Sequence, residues 1–346
     1  MELSDTPSLV GLTSTELSTL FESLGHKAFR GRQVYRQIQK RGVGDLEAMT
    51  DLPAGLRGQL LDAGVAIRAL TLSERRRSTD GTEKIALETR DGHRIETVLI
   101  PMENGTATQC LSSQVGCAMG CAFCLTGRMG LQRDLTPGEI IDQHHIGRTL
   151  TDLPIRNLVF MGMGEPLQNF ESVRTAVEIL EDPEGLDISH RRITISTCGV
   201  VPGIRRMAAG ELRARLAISL NAPTDDIRSG IMPINRRWPL TELLAALREV
   251  PLADRDRHTF EYVLLAGIND APEHARDLVR LLSHIRCKVN LIVFNEVDAL
   301  PFRAPDPVAV EAFRRILESK HVTVTVRASK GRDILAACGQ LATSKS

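Results

Sequence analysis

The chain has 346 residues, with 43 basic and 43 acidic side chains, 42% hydrophobic residues and 25% charged residues. This balance excludes an intrinsically disordered chain and indicates a soluble globular protein of one large or two unequal domains. No run of about 18 uncharged apolar residues occurs, and residues 1–5 lack the start of a secretory signal. We therefore expect a cytoplasmic protein that makes no membrane contact.

Residues 1–66 are predicted to form a small helical domain. Thr13 and Glu16 have the spacing of a capping box, and an apolar helix face follows them. Two further helices are predicted around residues 31–40 and 53–61, because apolar side chains recur there at helical spacing. Each helix is too short to be stable alone, so the three are expected to pack together.

A basic stretch runs through the second predicted helix. Between residues 26 and 41 there is no acidic side chain, and there are six basic ones: Lys27, Arg30, Arg32, Arg36, Lys40 and Arg41. Such a density of positive charge could meet the phosphates of a nucleic acid, or it could be an ordinary solvated helix surface. Charge alone leaves both interpretations open.

Residues 67–104 show the pattern of a β-hairpin. Apolar and polar residues alternate in two runs, at 84–89 and 95–100, which are joined across Asp91 and Gly92. An Asp-Gly pair between alternating runs is typical of a tight hairpin turn. We expect this hairpin to link the helical domain to the main domain.

Residues 105–341 alternate strand-like and helix-like runs. The strand-like runs lie at residues 158–160, 193–195, 216–218, 260–264, 289–293 and 322–326. The helix-like runs lie at residues 138–148, 170–180, 240–250, 272–285 and 307–317. This order predicts an α/β fold of βα units, and about six units suit a partial (β/α) barrel with its site at the carboxyl ends of the strands. Residues 342–346 are expected to form a flexible tail.

Three of the seven cysteines, Cys117, Cys121 and Cys124, are concentrated in one loop. In a cytoplasmic chain such cysteines favour metal or redox chemistry over structural disulfides. A structural zinc site needs four protein ligands and an electron-transfer cluster needs four cysteines, whereas three can hold a [4Fe–4S] cluster with one iron left open. The alternative is a zinc site completed by His144, His145 or a distant cysteine.

A glycine-rich turn with one carboxylate follows the strand at residues 158–160. Within residues 161–167, Gly162 and Gly164 allow the backbone to approach a ligand closely. Glu165 could accept hydrogen bonds from an ammonium group. Such a pattern by itself is more often a tight turn than a binding site, so both interpretations remain.

The cysteine spacing, C-x3-C-x2-C, resembles the cluster loop of the radical S-adenosylmethionine (SAM) superfamily. Three longer segments, at residues 110–117, 161–167 and 326–341, are similar to the RlmN/Cfr group of radical SAM RNA adenine methyltransferases. The similarity runs from the basic helical domain to Leu341 and so covers nearly the whole chain. It implies a partial barrel of the radical SAM type, preceded by the helical domain and the linking hairpin.

The resemblance implies how two cofactors are held. Cys117, Cys121 and Cys124 would ligate a [4Fe–4S] cluster whose open iron binds SAM. The family's SAM contacts carry over to Phe123, Gly164, Glu165, Ser196, Ser219, Leu220, Asn221 and Asn295. The family commonly has histidine where this chain has Asn221, and asparagine can hydrogen-bond there but cannot titrate near neutral pH.

The resemblance also implies a reaction that uses two SAM molecules per turnover. Cys338 would take a methyl group from the first SAM molecule. A 5'-deoxyadenosyl radical formed from the second SAM molecule would then remove a hydrogen atom from that methyl group. The resulting carbon radical would add to an adenine, Glu96 would remove the ring proton, and Cys110 would attack the Cys338 sulfur to release methylated RNA. Without the resemblance, Cys338 is a small buried side chain and Glu96 an exposed hairpin residue.

The expected substrate is an adenine of 23S ribosomal RNA, methylated at carbon 2, with a transfer RNA adenine as a further candidate. Within the family the alternative is carbon 8, the antibiotic-resistance activity of the Cfr branch. Outside it, the alternatives are a radical SAM enzyme with a non-RNA substrate and an RNA-binding protein with a structural metal site. We expect an electron donor such as flavodoxin as a partner, and a monomer because no apolar seam is visible.

Overall fold

The computed structural model describes residues 8–254 and 256–342. Residues 1–5, considered above for a secretory signal, and residues 343–346 of the expected tail lie outside the described residues. None of the described helices is both long enough and apolar enough to cross a membrane.

The amino-terminal unit has the three predicted helices, α1, Ser14–Ser23, α2, Ala28–Gln39, and α3, Ala54–Asp62. The predicted capping box is present, because the Thr13 hydroxyl accepts from the Glu16 N–H and the Glu16 carboxylate accepts from the Thr13 N–H at 2.8 Å. Helix α2 begins three residues before the predicted start. Ala28 and Arg30 are good helix formers, and Lys27 before them is extended.

The basic stretch lies on and beside α2. Arg36 pairs with Glu184, and Arg41 lies 3.2 Å from Asp51. Among the described residues no acidic partner is present for the other four cations, which are Lys27, Arg30, Arg32 and Lys40. The outer side of α2 therefore has a net positive charge.

A ten-stranded sheet forms the rest of the scaffold. It begins with β1, Leu70–Arg77, β2, Glu83–Thr89, β3, Arg94–Pro101, and β4, Ala107–Cys110. A separate antiparallel pair follows, consisting of β5, Gln114–Cys117, and β6, Gly130–Asp134. The main sheet continues with β7, Ile155–Phe160, β8, Ile193–Thr197, β9, Arg215–Ser219, β10, His258–Leu264, β11, Cys287–Val293, and β12, Thr323–Arg327.

The neighbours β1 to β4 are antiparallel, and the neighbours from β4 through β7 to β12 are parallel. The remaining helices are α4, Leu125–Met129, α5, Pro137–Leu150, α6, Phe170–Glu181, α7, Val201–Ala208, α8, Asp225–Ile231, α9, Leu240–Glu249, α10, Pro272–Leu282, and α11, Pro307–Glu318. This is the predicted α/β partial barrel.

All six predicted strands and all five predicted helices of the main domain are present. The predicted hairpin is β2–β3, and it continues the main sheet because Val98 on β3 pairs with Cys110 on β4. Several elements were not predicted, among them strands β1, β4 and β6 and helices α4, α7 and α8. Strand β4 reads Ala-Thr-Gln-Cys, which has no apolar run, and α7 opens with Val-Pro-Gly, which looks like a turn.

The helical unit is fastened to the barrel through buried polar groups of α5. Gln39 on α2 donates to the carbonyl of Val10 at 2.8 Å, and its amide oxygen lies 2.9 Å from Nε2 of His145. Asp142 accepts from the Arg68 guanidinium at 2.8 Å. It also accepts from the backbone N–H groups of Ala69 and Leu70, the two residues after Arg68. Buried hydrogen bonds of this kind fix one orientation, so the basic side of α2 has a set position relative to the barrel.

Candidate active site

A cavity of about 160 Å³ lies at the carboxyl ends of the parallel strands, where the sequence predicted a site. Most predicted site residues line it: Cys117, Cys121, Phe123, Cys124, Gly164, Glu165, Ser196, Ser219, Asn221, Asn295 and Cys338. The remaining three, Leu220, Cys110 and Glu96, are not part of its wall.

The cysteine loop, residues 117–124, forms one side of this cavity. It starts at the end of β5 and is fixed by a hydrogen bond from the Ala122 N–H to the carbonyl of Ile231 at 2.9 Å. Burial raises the pKa of Cys117 to about 12 and also raises that of Cys121. Thiols in this setting become thiolates when a cation binds them, because thiolate is the form that ligates metals.

The donor set of the cysteine loop fits an iron–sulfur cluster. In the part of the chain that the structure describes, no three His, Cys, Asp or Glu side chains surround a position for a single metal ion. The three thiols instead share the wall of a cavity that has room for a larger group. Three cysteines leave one iron of a [4Fe–4S] cluster without a protein ligand, and the rest of the cavity lies open for SAM.

The histidines considered for a zinc site do not reach this loop. His144 and His145 lie on α5, outside the cavity wall, and both are buried. Nδ1 of His144 lies 2.9 Å from the amide oxygen of Gln109, and His145 is paired with Gln39 as described above. Burial lowers the pKa of His144 to about 3, so this ring is neutral and packs in the core. The zinc site completed by either histidine is therefore not supported.

The glycine-rich turn at residues 161–167 owes its glycines to packing. A Cβ at Gly162 would lie 2.6 Å from Oγ of Ser112. Gly164 has φ +102, and a Cβ there would lie 2.7 Å from the backbone nitrogen of Gln114. The sequence suggested that these glycines admit a ligand, but they mainly let the turn lie directly against residues 111–114.

Glu165 is placed on the cavity wall by this turn. Its side chain is buried, and its two oxygens accept from the N–H groups of Leu167 at 3.1 Å and Cys198 at 2.8 Å. Burial raises the pKa of Glu165. A carboxylate with two backbone donors keeps further acceptor sites. An ammonium group in the cavity could use them and would favour the ionised form.

Two asparagines at strand ends differ in what they offer a ligand. Oδ1 of Asn295 is buried and has no hydrogen-bond partner among the described residues, so it can accept from a bound molecule. Asn221 has φ +58, a conformation that asparagine tolerates, and its Oδ1 already accepts from the Val263 N–H at 2.8 Å. The side chain of Leu220 is buried in the core. Asn221 therefore supports the cavity wall, and Leu220 offers only its backbone.

Arg228 is an important residue that sequence reasoning missed. This arginine on α8 is fully buried and donates to the carbonyls of Leu220 at 2.9 Å and Cys198 at 2.6 Å, and to Oδ1 of Asn235 at 2.9 Å. It thereby ties the ends of β8 and β9 together beneath the cavity. No sequence signal distinguishes it from a surface arginine on a short helix.

We expect Arg228→Met to destabilise the protein by about 3 kcal/mol or more, because several buried acceptors lose their donor and each costs about 1–3 kcal/mol. Urea unfolding of the cluster-free protein, followed by circular dichroism, measures this change. Exposed Arg236, in the neighbouring turn, provides the control: Arg236→Met should change stability by less than about 0.5 kcal/mol. A loss below about 1 kcal/mol for Arg228→Met would contradict the expectation.

The segment after β12 carries Cys338 to the cavity and is held at both ends. At one end, Asp333 accepts from the Ser78 hydroxyl at 2.5 Å and from the Thr79 N–H at 3.1 Å. At the other end, the carbonyl of Gly339 accepts from the Leu125 N–H at 2.9 Å. The Cys338 side chain faces the cavity. The surrounding protein keeps bulk water away from the thiol, and this desolvation raises the pKa of Cys338.

Gly339 permits the close contact between this segment and the cysteine loop. It has φ +80, and a Cβ there would lie 3.3 Å from the carbonyl oxygen of Phe123. Any other residue would be strained in that backbone conformation. The glycine after Cys338 thus brings the thiol to the loop that would hold the cluster.

Cys110 lies at the end of β4, behind the cavity wall. It is 7% exposed, and burial raises its pKa to about 12. Cys338 and Arg327 are the groups whose charges act on its thiol. Cys110 and Cys338 are therefore close enough to influence each other, although they are 228 positions apart in the sequence.

Glu96 is buried, whereas the hairpin pattern alone would leave it exposed. Its carboxylate lies 3.1 Å from Nζ of Lys84 and accepts from the Ala342 N–H at 3.1 Å. Burial raises the pKa of Glu96, while the Lys84 charge lowers it. Glu96 lies on the same face of β3 as Val98, which pairs with Cys110, so Glu96 and Cys110 are near neighbours on one face of the sheet.

An acidic and a basic side chain from the last barrel strands complete the wall. Glu261 on β10 and Arg327 at the end of β12 both line the cavity, and Oε2 of Glu261 lies 3.6 Å from the Arg327 guanidinium. Arg327 begins a basic run that continues with Lys330 and Arg332 before Cys338, whereas Glu261 was not singled out from the sequence. A glutamate between Phe260 and Tyr262 in an otherwise apolar strand was the available signal.

Comparison with known proteins gives matches over both parts of the chain. Residues 111–282 match the model of the radical SAM superfamily, and residues 8–65 match the model of the ribosomal RNA large subunit methyltransferase N-terminal domain. The dual-specificity RNA methyltransferase RlmN of Anaeromyxobacter dehalogenans is 51% identical, over 98% of this chain and 92% of that protein. The protein of the same name from Solidesulfovibrio magneticus is 50% identical, over 96% of this chain and 95% of that protein.

A solved structure matches over the same extent. The crystal structure of a radical SAM methyltransferase from Sphaerobacter thermophilus superposes with a TM-score of 0.91 at 42% identity, and the match covers 96% of this chain and 98% of that one. The match therefore includes the helical unit, the hairpin and the barrel together.

Proposed function

This chain belongs to the RlmN family of radical SAM RNA methyltransferases, and we propose that it methylates carbon 2 of an adenine in 23S ribosomal RNA and of an adenine in transfer RNA. The meeting of Cys338 with the cysteine loop in one cavity is the observation that carries this proposal. Relatives named RlmN at about half identity favour carbon 2 over the carbon 8 activity of the Cfr branch.

As a radical SAM protein, the enzyme uses SAM and a [4Fe–4S] cluster. Cys117, Cys121 and Cys124 are proposed to hold the cluster. Glu165 and Asn295 are proposed to bind polar groups of SAM, because both present free acceptor sites to the cavity. When bound, the two cofactors would supply a methyl group for the Cys338 sulfur and the radical chemistry that takes a hydrogen atom from that methyl group, at two SAM molecules per turnover.

Cys338 is proposed to carry the methyl group and to pass its carbon to the adenine ring. The exposed side chain in the cavity and the anchored backbone on both sides hold the sulfur in place for this transfer. Glu96 is proposed to accept the ring proton, and the burial that raises its pKa makes it a better base. Cys110 is proposed to attack the Cys338 sulfur and release the product.

The RNA is proposed to approach across the helical unit. The four unpaired cations on and beside α2 attract phosphates, and the buried contacts with α5 keep them at a fixed distance from the cavity. An adenine ring carbon can react only when the base is unstacked, so the target adenine must be turned out of its helix into the cavity mouth. A one-electron donor such as flavodoxin would serve the cluster, and the enzyme is proposed to act as a monomer.

The deciding experiment is an anaerobic incubation of the reconstituted protein with SAM, a reductant and unmodified 23S ribosomal RNA or transfer RNA. We expect about four irons per chain and 2-methyladenosine in both RNAs, identified by mass spectrometry against 2-methyl and 8-methyl standards. A colourless zinc protein would overturn the radical chemistry. An intact cluster that cleaves SAM without forming methyladenosine would overturn the RNA assignment, and 8-methyladenosine would overturn the choice of carbon.

A further inference from the structure

Three polar side chains of the last three barrel strands, Glu261, Asn290 and Arg327, lie on the face of the sheet that is turned toward the cavity. Glu261 on β10 pairs in register with Asn290 on β11, and Ile292 on β11 pairs with Arg327 on β12. Paired residues, and residues two apart on one strand, share a face of the sheet. Glu261, Ile292 and Arg327 accordingly all line the cavity.

Glu261 and Arg327 form an ion pair without a hydrogen bond, so the N–H donors of Arg327 are not used by Glu261. Glu261 is 5% exposed, and its Oε1 accepts from the Asn290 amide at 2.9 Å. Its Oε2 has no hydrogen-bond partner and lies 3.6 Å from the Arg327 guanidinium. Among the described residues Glu261 is the only acid paired with Arg327, and a guanidinium carries five N–H groups. Glu261 is buried, whereas the Arg327 side chain is 38% exposed, so its guanidinium stays accessible to groups in the cavity.

The charge of Arg327 acts on both cysteines of the proposed reaction. Cys338 and Cys110 are the thiols near its guanidinium, and Glu261 is the acid near it. Arg327 lowers the pKa of Cys110, which burial raises to about 12. At neutral pH a thiol with such a pKa is almost entirely protonated, and the protonated form is a poor nucleophile. A guanidinium that lies in the same cavity as Cys338 can stabilise the thiolate form of Cys110.

We infer that Arg327 stabilises the thiolate of Cys110 as it attacks the Cys338 sulfur, and that Glu261, fixed by Asn290, positions the guanidinium for this step. The inference rests on the proposed function. In the attack an S–S bond forms between the two cysteines and the bond from the Cys338 sulfur to the transferred carbon breaks. The electron pair goes to that carbon, which takes a proton and becomes the methyl group. The Cys110 thiolate and the thioether sulfur of Cys338 are thereby oxidised to a disulfide, and the carbon is reduced by two electrons.

The test that does not depend on RNA is oxidation of the cysteine pair by a small cyclic disulfide. The protein is incubated with oxidised dithiothreitol across a range of pH, and the Cys110–Cys338 disulfide is quantified by peptide mass spectrometry. Below the pKa of Cys110, the thiolate fraction falls tenfold for each unit by which the pKa rises. We expect Arg327→Gln to form the disulfide about tenfold more slowly at each pH, with Arg327→Lys recovering part of the rate.

Two comparisons separate this role from a structural one. Arg332 lies in the same basic run but is exposed, and Arg332→Gln should leave the oxidation rate unchanged. Glu261→Gln should slow oxidation in the natural protein and have no effect once residue 327 is glutamine, because Glu261 acts through Arg327. Equal effects of Glu261→Gln in both backgrounds would overturn its positioning role.

The second arm uses RNA and enzyme that carries a methyl group on Cys338. In a single turnover, Arg327→Gln should accumulate the RNA–protein adduct and resolve it about tenfold more slowly, in line with the first arm. A higher KM for RNA with unchanged resolution would show that Arg327 contacts RNA phosphate instead, and would overturn the inference. If the natural protein methylates no RNA, the proposed function fails, while the oxidation assay still reports on Arg327.

Discussion

Replacing Cys338 with alanine is expected to abolish RNA methylation and to leave reductive cleavage of SAM intact. The sulfur of Cys338 is the proposed carrier of the transferred carbon, so no residual product should be detectable. The cluster loop and the polar wall of the cavity do not depend on this side chain, because Cys338 presents it to open space. Mass spectrometry of the RNA and chromatography of 5'-deoxyadenosine measure the two activities in one reaction.

Cys287 is the matched control for this substitution. It is half-buried at the start of β11, outside the cavity wall, and burial raises its pKa to about 11. Cys287→Ala should retain both methylation and SAM cleavage. If Cys338→Ala formed methyladenosine at the rate of the natural protein, Cys338 would not be the methyl carrier and the substrate would receive its carbon by another route.

Cys110→Ala is expected to stop the reaction one step later, with RNA joined covalently to the protein. In the proposed reaction, methylation of Cys338 and addition of its carbon to adenine do not need Cys110, whereas release of the product does. Labelled RNA should therefore migrate with the protein on a denaturing gel, and release should fall below detection. Digestion of the complex should give a peptide that contains Cys338 and carries the mass of a modified adenosine.

The double variant Cys110→Ala, Cys338→Ala controls for non-specific trapping of RNA, because it lacks the attachment point. It should give no covalent complex. Free methyladenosine from Cys110→Ala at an unchanged rate, with no complex, would show that another group resolves the adduct. Cys198 would then be the next residue to test, since it is a buried cysteine that lies on the cavity wall outside the cysteine loop.

The chemistry-bearing loops of this protein could be predicted from sequence because their signals are local. The spacing of Cys117, Cys121 and Cys124 lies within one loop, and alternating runs gave the strands whose ends surround the cavity. The same local patterns placed the capping box of α1 at Thr13 and Glu16. Such features can be recognised in the sequence because the residues that form them lie within a few positions of one another.

The residues that sequence reasoning missed act across long distances in the chain. Arg228 connects the ends of two strands, and Glu261 pairs with Arg327. The residues next to Arg228 and Glu261 in the sequence give no indication of these contacts. The burial of Glu96 depends on Lys84 and on Ala342, which is 246 positions away. Polar side chains on strands were assigned to the solvent side by alternation, but the inside of a barrel that binds a charged cofactor is partly polar.

The anchoring of the Cys338 segment makes its docking a late event in folding. Ser78 and Asp333 are 255 positions apart, so their contact can form only after the hairpin and the last barrel strand are both in place. Contacts of such high sequence separation are slow to close during folding. Opening of residues 331–342 would remove the carrier cysteine from a barrel that is otherwise complete. Undocking of this one short segment would therefore be enough to stop the proposed carbon transfer while the cysteine loop stays in place.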